Sequence, residues 1–232
     1  MSPNFTIVDV FAEEKYAGNQ LAVVRGAAGL SDEILATPVE RVALNLEAGK
    51  IPVTFGEVLW MRQLPPTFGP ALDLGTLARL LGLEDGDLDD RHPVREVSTG
   101  LPAVIVPLRS LDALQRCRVN WELYRESAAA GKNLYAFCPE PHADGPGDVS
   151  ARMFSDDLGI PEDPATGSAA GCLAGYLVEQ RYFGTDSVEV RVEQGYEIQR
   201  PSLLYLRAGR EGDTIDVSVG GKVQMVASGE LI

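Results

Sequence analysis

The chain is short of positive charge, of histidine and cysteine, and of long apolar runs, and each shortage rules against a class of function. Against 34 aspartates and glutamates it sets 20 lysines and arginines, a net charge of −14 with no basic stripe to offset it. Neither nucleic acid nor an anionic membrane surface is therefore an expected partner. No apolar stretch reaches the roughly 18 residues of a membrane span. No charged segment followed by an apolar run stands near Met1, so a cytoplasmic location is expected. Cys117, Cys138 and Cys172 are odd in number and far apart, without a CxxC spacing, which argues against a disulfide frame or a zinc site. Cys172 falls among small residues and reads as buried packing. His92 and His142 sit in proline-flanked polar segments and read as surface-loop residues with no companion for a metal. No Walker or Rossmann glycine pattern and no metal cluster is present either, so nothing in the motifs calls for a cofactor or a metal.

What the sequence does have is a concentration of small residues between positions 165 and 175. Residues 151–154 read as a strand, a polar loop follows, and Asp163-Pro164 announces a helix: Pro164 suits a first helical turn and Asp163 an N-cap. Gly167, Ser168, Ala169, Ala170, Gly171, Ala174 and Gly175 make that helix poor by propensity, since each glycine costs about 1 kcal/mol relative to alanine. Such a helix is expected to be buried and closely approached by another part of the chain. Its first amides, those of Gly167, Ser168 and Ala169, carry the positive end of the helix dipole and suit a carboxylate or phosphate. Asp163 beside that pocket could exchange a proton with the guest. Spacing alone leaves open the plainer reading, a capped and tightly packed core helix without chemistry.

The eight residues Glu162-Asp163-Pro164-Ala165-Thr166-Gly167-Ser168-Ala169 resemble the signature of the PhzF-like family, the phenazine-biosynthesis isomerases that share the diaminopimelate epimerase fold. Val8-Asp9-Val10-Phe11 with Ala17-Gly18-Asn19, Glu193-Gln194-Gly195 with Arg200-Pro201-Ser202, and the tail over residues 219–231 are similar to further landmarks of that family. The resemblance implies an α+β fold of two pseudo-symmetric lobes, residues 1–112 and 113–232, each a mixed sheet or barrel wrapped on a central helix. It also implies a cofactor-independent isomerase or epimerase, working as a homodimer, that shifts a proton on a small carboxylic or amino-acid-like substrate held between the lobes. On that basis Asp163 is the second-lobe acid/base group, and the backbone of Gly167 and Ser168 with the Ser168 hydroxyl is the anion-holding turn. Asn19 is a candidate substrate contact; a plain turn residue is the other reading of it.

Along the chain, residues 5–11 and 20–24 read as a hairpin and 57–64 as a strand that ends at the proline-rich segment 65–70, while residues 39–55 look like the family's later hairpin, turning at 48–50. A short amphipathic helix is expected over 74–83, solvated acidic turns over 84–90, strands at 94–97 and 102–108, a helix over 120–130, and strands at 134–138, 188–195, 203–208 and 214–231. The first lobe departs from the family after about residue 36. A helix opening at Leu30-Ser31-Asp32-Glu33 is cut off by Thr37-Pro38, and the family's Ser-Glu-Thr and Gly-His-Pro-Thr motifs, the first carrying a catalytic glutamate, occur nowhere in the chain. Glu47 stands near the expected number, but in a hairpin setting, and does not inherit that role. Three readings of the gap stay open: a block that this sequence omits, a shortened and catalytically silent binding or interaction module, or an altered activity that uses Asp163 alone. The first is favoured. Without the block, the apolar faces of Val8, Val10, Leu21, Val23 and Leu44 would meet water at roughly 1.5–3 kcal/mol for each large side chain.

Overall fold

The computed structural model describes residues 4–25, 41–46, 49–155 and 161–230. The expected helix at residues 30–36 and Glu47 lie outside them. In chain order the elements are β1 (Asn4–Val10), β2 (Asn19–Arg25), β3 (Arg41–Leu46), β4 (Gly49–Thr54), β5 (Leu59–Arg62), β6 (Thr67–Ala71), α1 (Leu74–Leu80), β7 (Arg95–Ser98), β8 (Pro102–Pro107), α2 (Leu111–Arg116), α3 (Trp121–Glu126), β9 (Asn133–Cys138), β10 (Val149–Phe154), β11 (Glu162–Asp163), α4 (Gly167–Glu179), β12 (Ser187–Gln194), β13 (Ser202–Glu211), β14 (Thr214–Gly221) and β15 (Val223–Glu230). The fold is α+β and rich in sheet.

Twelve strands form one sheet, ordered β3-β4-β5-β14-β13-β12-β10-β9-β8-β7-β6, with β11 paired to β10 off that path. Among the described residues only β8–β9 and β10–β12 run parallel, and each parallel pair is bridged by helical chain, as a parallel connection requires. The sheet curls around α4, which packs against β7, β8, β9, β12, β13 and β14. Ala169 to Val178 are all buried, so the helix is apolar on every side and occupies the core. Gly167, Gly171 and Gly175 recur every fourth residue on one face. A Cβ added at Gly167 would stand 2.9 Å from the Phe11 ring, at Gly171 3.1 Å from Gln63 and Thr99, and at Gly175 2.8 Å from the Pro66 ring. Close approach is what the low-propensity composition is for.

The central strands are covered on both faces. Ala103, Ile105, Tyr135, Phe137, Ala151 and Met153 face α4. Val104, Val106, Leu134, Ala136 and Phe154 meet the layer formed by α1, α2 and α3. That double burial explains why residues 102–108 and 134–138 read as continuous apolar runs rather than alternating ones.

A separate three-stranded sheet, β15-β1-β2, carries the amino terminus, with Val10 opposite Asn19 in the β1–β2 hairpin. Its apolar side chains are poorly covered: Leu21 is 49% and Met225 59% exposed, and Val23 and Val223 are exposed as well, as is Leu44 on β3 of the large sheet.

Several local expectations are corrected. The core helix begins three residues later than Asp163-Pro164 suggests: its N-cap is Thr166, while Asp163 belongs to the short strand β11. The proline-rich segment 65–70, to which the sequence assigned no element, is mostly strand β6, paired to β7 and aligned by Arg95, which donates to the Gly69 carbonyl. Asp89, in the acidic turns, is fully buried and forked by Arg91 at 2.7 Å. The helix expected over 120–130 is confined to Trp121–Glu126, since Ser127 turns extended. His142 is no free loop residue: it stacks on Tyr196 with 4.1 Å between ring centroids, and its nitrogens lie 3.0 Å from Glu193 and 3.2 Å from Glu197. Glu193, on β12, stands 51 residues along the chain from His142, too far in sequence for composition to reveal the pairing.

If the glycine face of α4 is a packing requirement, Gly175→Ala should destabilise the protein by about 1–3 kcal/mol through overpacking against the rigid Pro66 ring, despite alanine's better helix propensity. The urea midpoint reads this directly, and a midpoint equal to or above that of the parent chain would contradict the account.

Candidate functional site

The site begins at the turn between β1 and β2. Asp9 is fully buried, and its carboxylate accepts from the Tyr16 backbone N–H at 2.7 Å and from Arg200 Nη2 at 2.9 Å. Arg200 also donates to the carbonyls of Ala17 (2.9 Å) and Gly18 (3.0 Å), and the Gly18 N–H returns a bond to the Pro201 carbonyl. A buried charge needs a partner and satisfied hydrogen bonds, and this pair has both. It clamps the turn against the chain that follows β12, and so fixes where Asn19 points.

Asn19 Nδ2 donates to Asp163 Oδ1 at 3.1 Å and to the Ala165 carbonyl at 3.1 Å. The other carboxylate oxygen, Oδ2, accepts from the Thr166 hydroxyl. Asp163 is half-buried, and burial raises its pKa above the ordinary aspartate value of 3.8, while the Thr166 and Asn19 donors oppose the rise. Behind it lies fully buried Gln194, whose Nε2 donates to the Asp163 carbonyl (2.8 Å) and to Thr166 Oγ1 (3.1 Å). Gln194 Oε1 accepts from the Thr166 N–H (3.3 Å) and from the hydroxyl of fully buried Tyr135 (3.0 Å).

Thr166 leads directly into α4, whose start carries no side-chain cap. The first amides of a helix have no intrahelical acceptor, so those of Gly167 and Ser168 are free for a guest. Both residues line a cavity of about 530 Å³ whose walls also include Phe11, Ile51, Trp60, Leu64, Thr99 and Val219. Lys222 is the single charged residue among the described lining residues. Phe11 holds a left-handed backbone (φ 58°), uncommon outside glycine, and its ring lies over Gly167.

Of the residues singled out in the sequence, Asp163 and Asn19 are brought into direct contact, and Gly167 and Ser168 line the cavity. Asp163 and Asn19 themselves are not lining residues; Thr166 connects the two pairs. Among the described residues no group of three His, Cys, Asp or Glu side chains could hold a metal, and no helix is long and apolar enough to cross a membrane. Sequence reasoning assigned no role to Asp9, Tyr135, Thr166, Gln194 or Arg200. The signal was partly there: the Glu193-Gln194-Gly195 and Arg200-Pro201-Ser202 landmarks border the site. Gly195 is required by a positive φ of 80° and by the carbonyls of Arg200 and Pro164, 2.4 and 2.6 Å from where its Cβ would be.

Comparison with known proteins gives concordant matches. The family described as "Phenazine biosynthesis-like protein" matches residues 35–229. An uncharacterised isomerase of Pasteurella multocida is 34% identical over 160 residues, 68% of this chain and 50% of the relative. A trans-2,3-dihydro-3-hydroxyanthranilate isomerase of Pseudomonas fluorescens is 31% identical over 289 aligned positions, covering 99% of each chain. That span exceeds the 232 residues available here, so the alignment opens gaps in this chain. The crystal structure of a PhzF-family phenazine biosynthesis protein from Bacillus anthracis superposes with a TM-score of 0.85 at 22% identity, covering 100% of this chain and 99% of that one, a likeness of fold. The chain spans about half the length of the first curated relatives it matches.

Because the folded Asp163 carboxyl holds its proton above 3.8, this group favours folding most below that value, and the contribution is lost as pH rises through the folded titration point. Carbon-13 NMR of the carboxyl should show a midpoint above that of an unfolded aspartate, and Asp163→Asn should remove this element of the pH dependence of the urea midpoint. A carboxyl titrating at or below 3.8 contradicts the assignment.

Proposed function

The chain belongs to the phenazine biosynthesis-like (PhzF) family, and from that membership we propose that it is a cofactor-independent isomerase or epimerase in which Asp163 moves a proton on a small carboxylic or amino-acid-like substrate. The observation that carries this reading is the pairing of a half-buried carboxyl with an uncapped helix start facing a cavity. The substrate carboxylate sits on the amides of Gly167 and Ser168, with the Ser168 hydroxyl at its edge, where the helix dipole offsets its charge. Asp163 removes a proton from a substrate carbon as a carboxylate and, as the acid so formed, returns it to a carbon, so the reaction is an isomerisation with no net change in atoms. A raised titration point suits such an exchange, because the acid and base forms are then closer in free energy near neutral pH. Negative charge that develops on the substrate meets the same helix-start amides, which need no rearrangement to receive it.

Supporting the reading are the relatives named as isomerases and the eight-residue signature at residues 162–169. The cleft lies between two lobes in this proposal, with residues 1–112 contributing Asn19 and Phe11, and residues 113–232 contributing α4 and Asp163. Self-association into a homodimer belongs to the proposal as well, since Leu21, Val23 and Met225 need covering.

A second reading is favoured by the walls themselves. No carboxylate stands among the described lining residues, Asp163 included, which fits a relative that binds a small carboxylate without turning it over. Incubation of the protein with small carboxylic acids in deuterated water separates the two. The isomerase reading expects carbon-bound deuterium to appear, with the rate falling by about 10²-fold or more in Asp163→Asn. Exchange that persists unchanged in the variant rejects the role of Asp163. Binding without exchange in the parent chain selects the second reading.

A further inference from the structure

We infer that Gln194, held from behind by Tyr135, is a positioning residue that commits the Thr166 hydroxyl proton to Asp163 Oδ2 and so fixes the aim of the carboxyl. The inference rests on the reading of Asp163 as the acid/base group and adds to it the device that orients that group. Its basis is the directionality of the hydrogen bonds. An amide can be placed either way round at a given site, but here two partners leave no choice. The Thr166 backbone N–H can only donate, so the Gln194 atom 3.3 Å from it is the oxygen; the Asp163 carbonyl can only accept, so the atom 2.8 Å from it is the nitrogen.

With the amide so fixed, the other bonds follow. The Tyr135 hydroxyl, 3.0 Å from Gln194 Oε1, must donate. It keeps its proton, since burial and the neighbouring Asp163 charge both raise its pKa. The second Nε2–H of Gln194 occupies an acceptor site of Thr166 Oγ1, 3.1 Å away, which leaves the Thr166 proton to point at Asp163 Oδ2. Oδ1 meanwhile takes the Asn19 N–H. The groups facing the carboxyl are therefore the neutral donors Asn19 and Thr166. Glu162, next along the chain, is turned away onto Arg152 at 2.7 and 2.8 Å. A buried amide whose hydrogen-bonding groups are all used, three of its four bonds falling within this one strand-to-helix turn, has little freedom to relax.

The test is the titration of the Asp163 carboxyl followed by carbon-13 NMR, which needs no substrate. Thr166→Val deletes the donor on Oδ2 and should move the midpoint up by about one pH unit, with Thr166→Ser restoring it. Gln194→Met should move it in the same direction, and the double variant should move no further than the larger single shift, because the two residues act along one path. A Gln194→Met protein that folds with an unmoved midpoint, or shifts that add in full, would overturn the inference. Should Gln194→Met fail to fold, the Gln194 side-chain amide signal is read instead. It should follow the Asp163 midpoint in the parent chain, and this response should shrink in Thr166→Val; a response of unchanged size overturns the inference. The two ideas fail separately: an unmoved titration removes the relay, whereas deuterium exchange that survives Asp163→Asn removes the chemistry that it serves.

Discussion

One helix with no side chains on one of its faces sets most of this structure. α4 can lie in the middle of the molecule because Gly167, Gly171 and Gly175 let the Phe11 ring, the Gln63 and Thr99 side chains and the Pro66 ring come within van der Waals reach of its backbone. Interiors are packed closely enough that a single added methyl group is felt. The sheet can therefore curl tightly around the helix only while those positions stay empty. The same packing puts the first turn of the helix at the edge of the cavity rather than beneath a covering strand, so the chemistry and the core share one cause.

The polar groups around that helix start are arranged in two tiers. The outer tier is the buried Asp9–Arg200 pair, which joins the β1–β2 turn to the segment between β12 and β13. The inner tier is Asp163 with Asn19, Thr166 and Gln194. Neither tier is stabilised by its charge alone, since a buried ion pair roughly balances its desolvation against its attraction. Their effect is on specificity: each group has a single partner geometry, and the geometry places an amide and a hydroxyl on the two oxygens of one carboxyl. The half-burial that raises the proton affinity of Asp163 and the donors that restrain the rise are consequences of the same turn.

Much of this was legible in the sequence, and the reasons for the remainder are physical. Hydrophobic period and turn chemistry located the β1–β2 hairpin and the apolar central strands, because those signals are local, and resemblance to the family's later hairpin located β3–β4. The eight-residue signature at 162–169 located the helix start and Asp163. Its exact start was misjudged because Pro164 satisfies the rules for a first helical turn equally well in the turn that precedes it. Thr166 then occupies the N-cap position of a helix that begins later, with its hydroxyl turned to Asp163 instead of the helix amides. The burial of Asp89 and the pairing of half-buried His142 with Glu193 and Glu197 were illegible, since their partners are supplied by tertiary packing. Tyr135 and Gln194 were hidden for the same reason: 59 residues separate them, and only the parallel and antiparallel order of β9, β10 and β12 brings them together.

Of the apolar side chains expected to meet water because of the motifs that the sequence lacks, Leu21, Val23 and Leu44 are exposed, whereas Val8 and Val10 are half-buried. The isomerase reading proposed for the chain rests on α4. Its central claim, that the start of α4 holds an anionic guest beside Asp163, is tested most directly by nitrogen-15 NMR of the backbone amides during titration with a small aliphatic or aromatic carboxylate. The account predicts saturable movement of the Gly167 and Ser168 signals ahead of all others, with the Thr166 signal following. Saturable binding that leaves those two amides unmoved would contradict it.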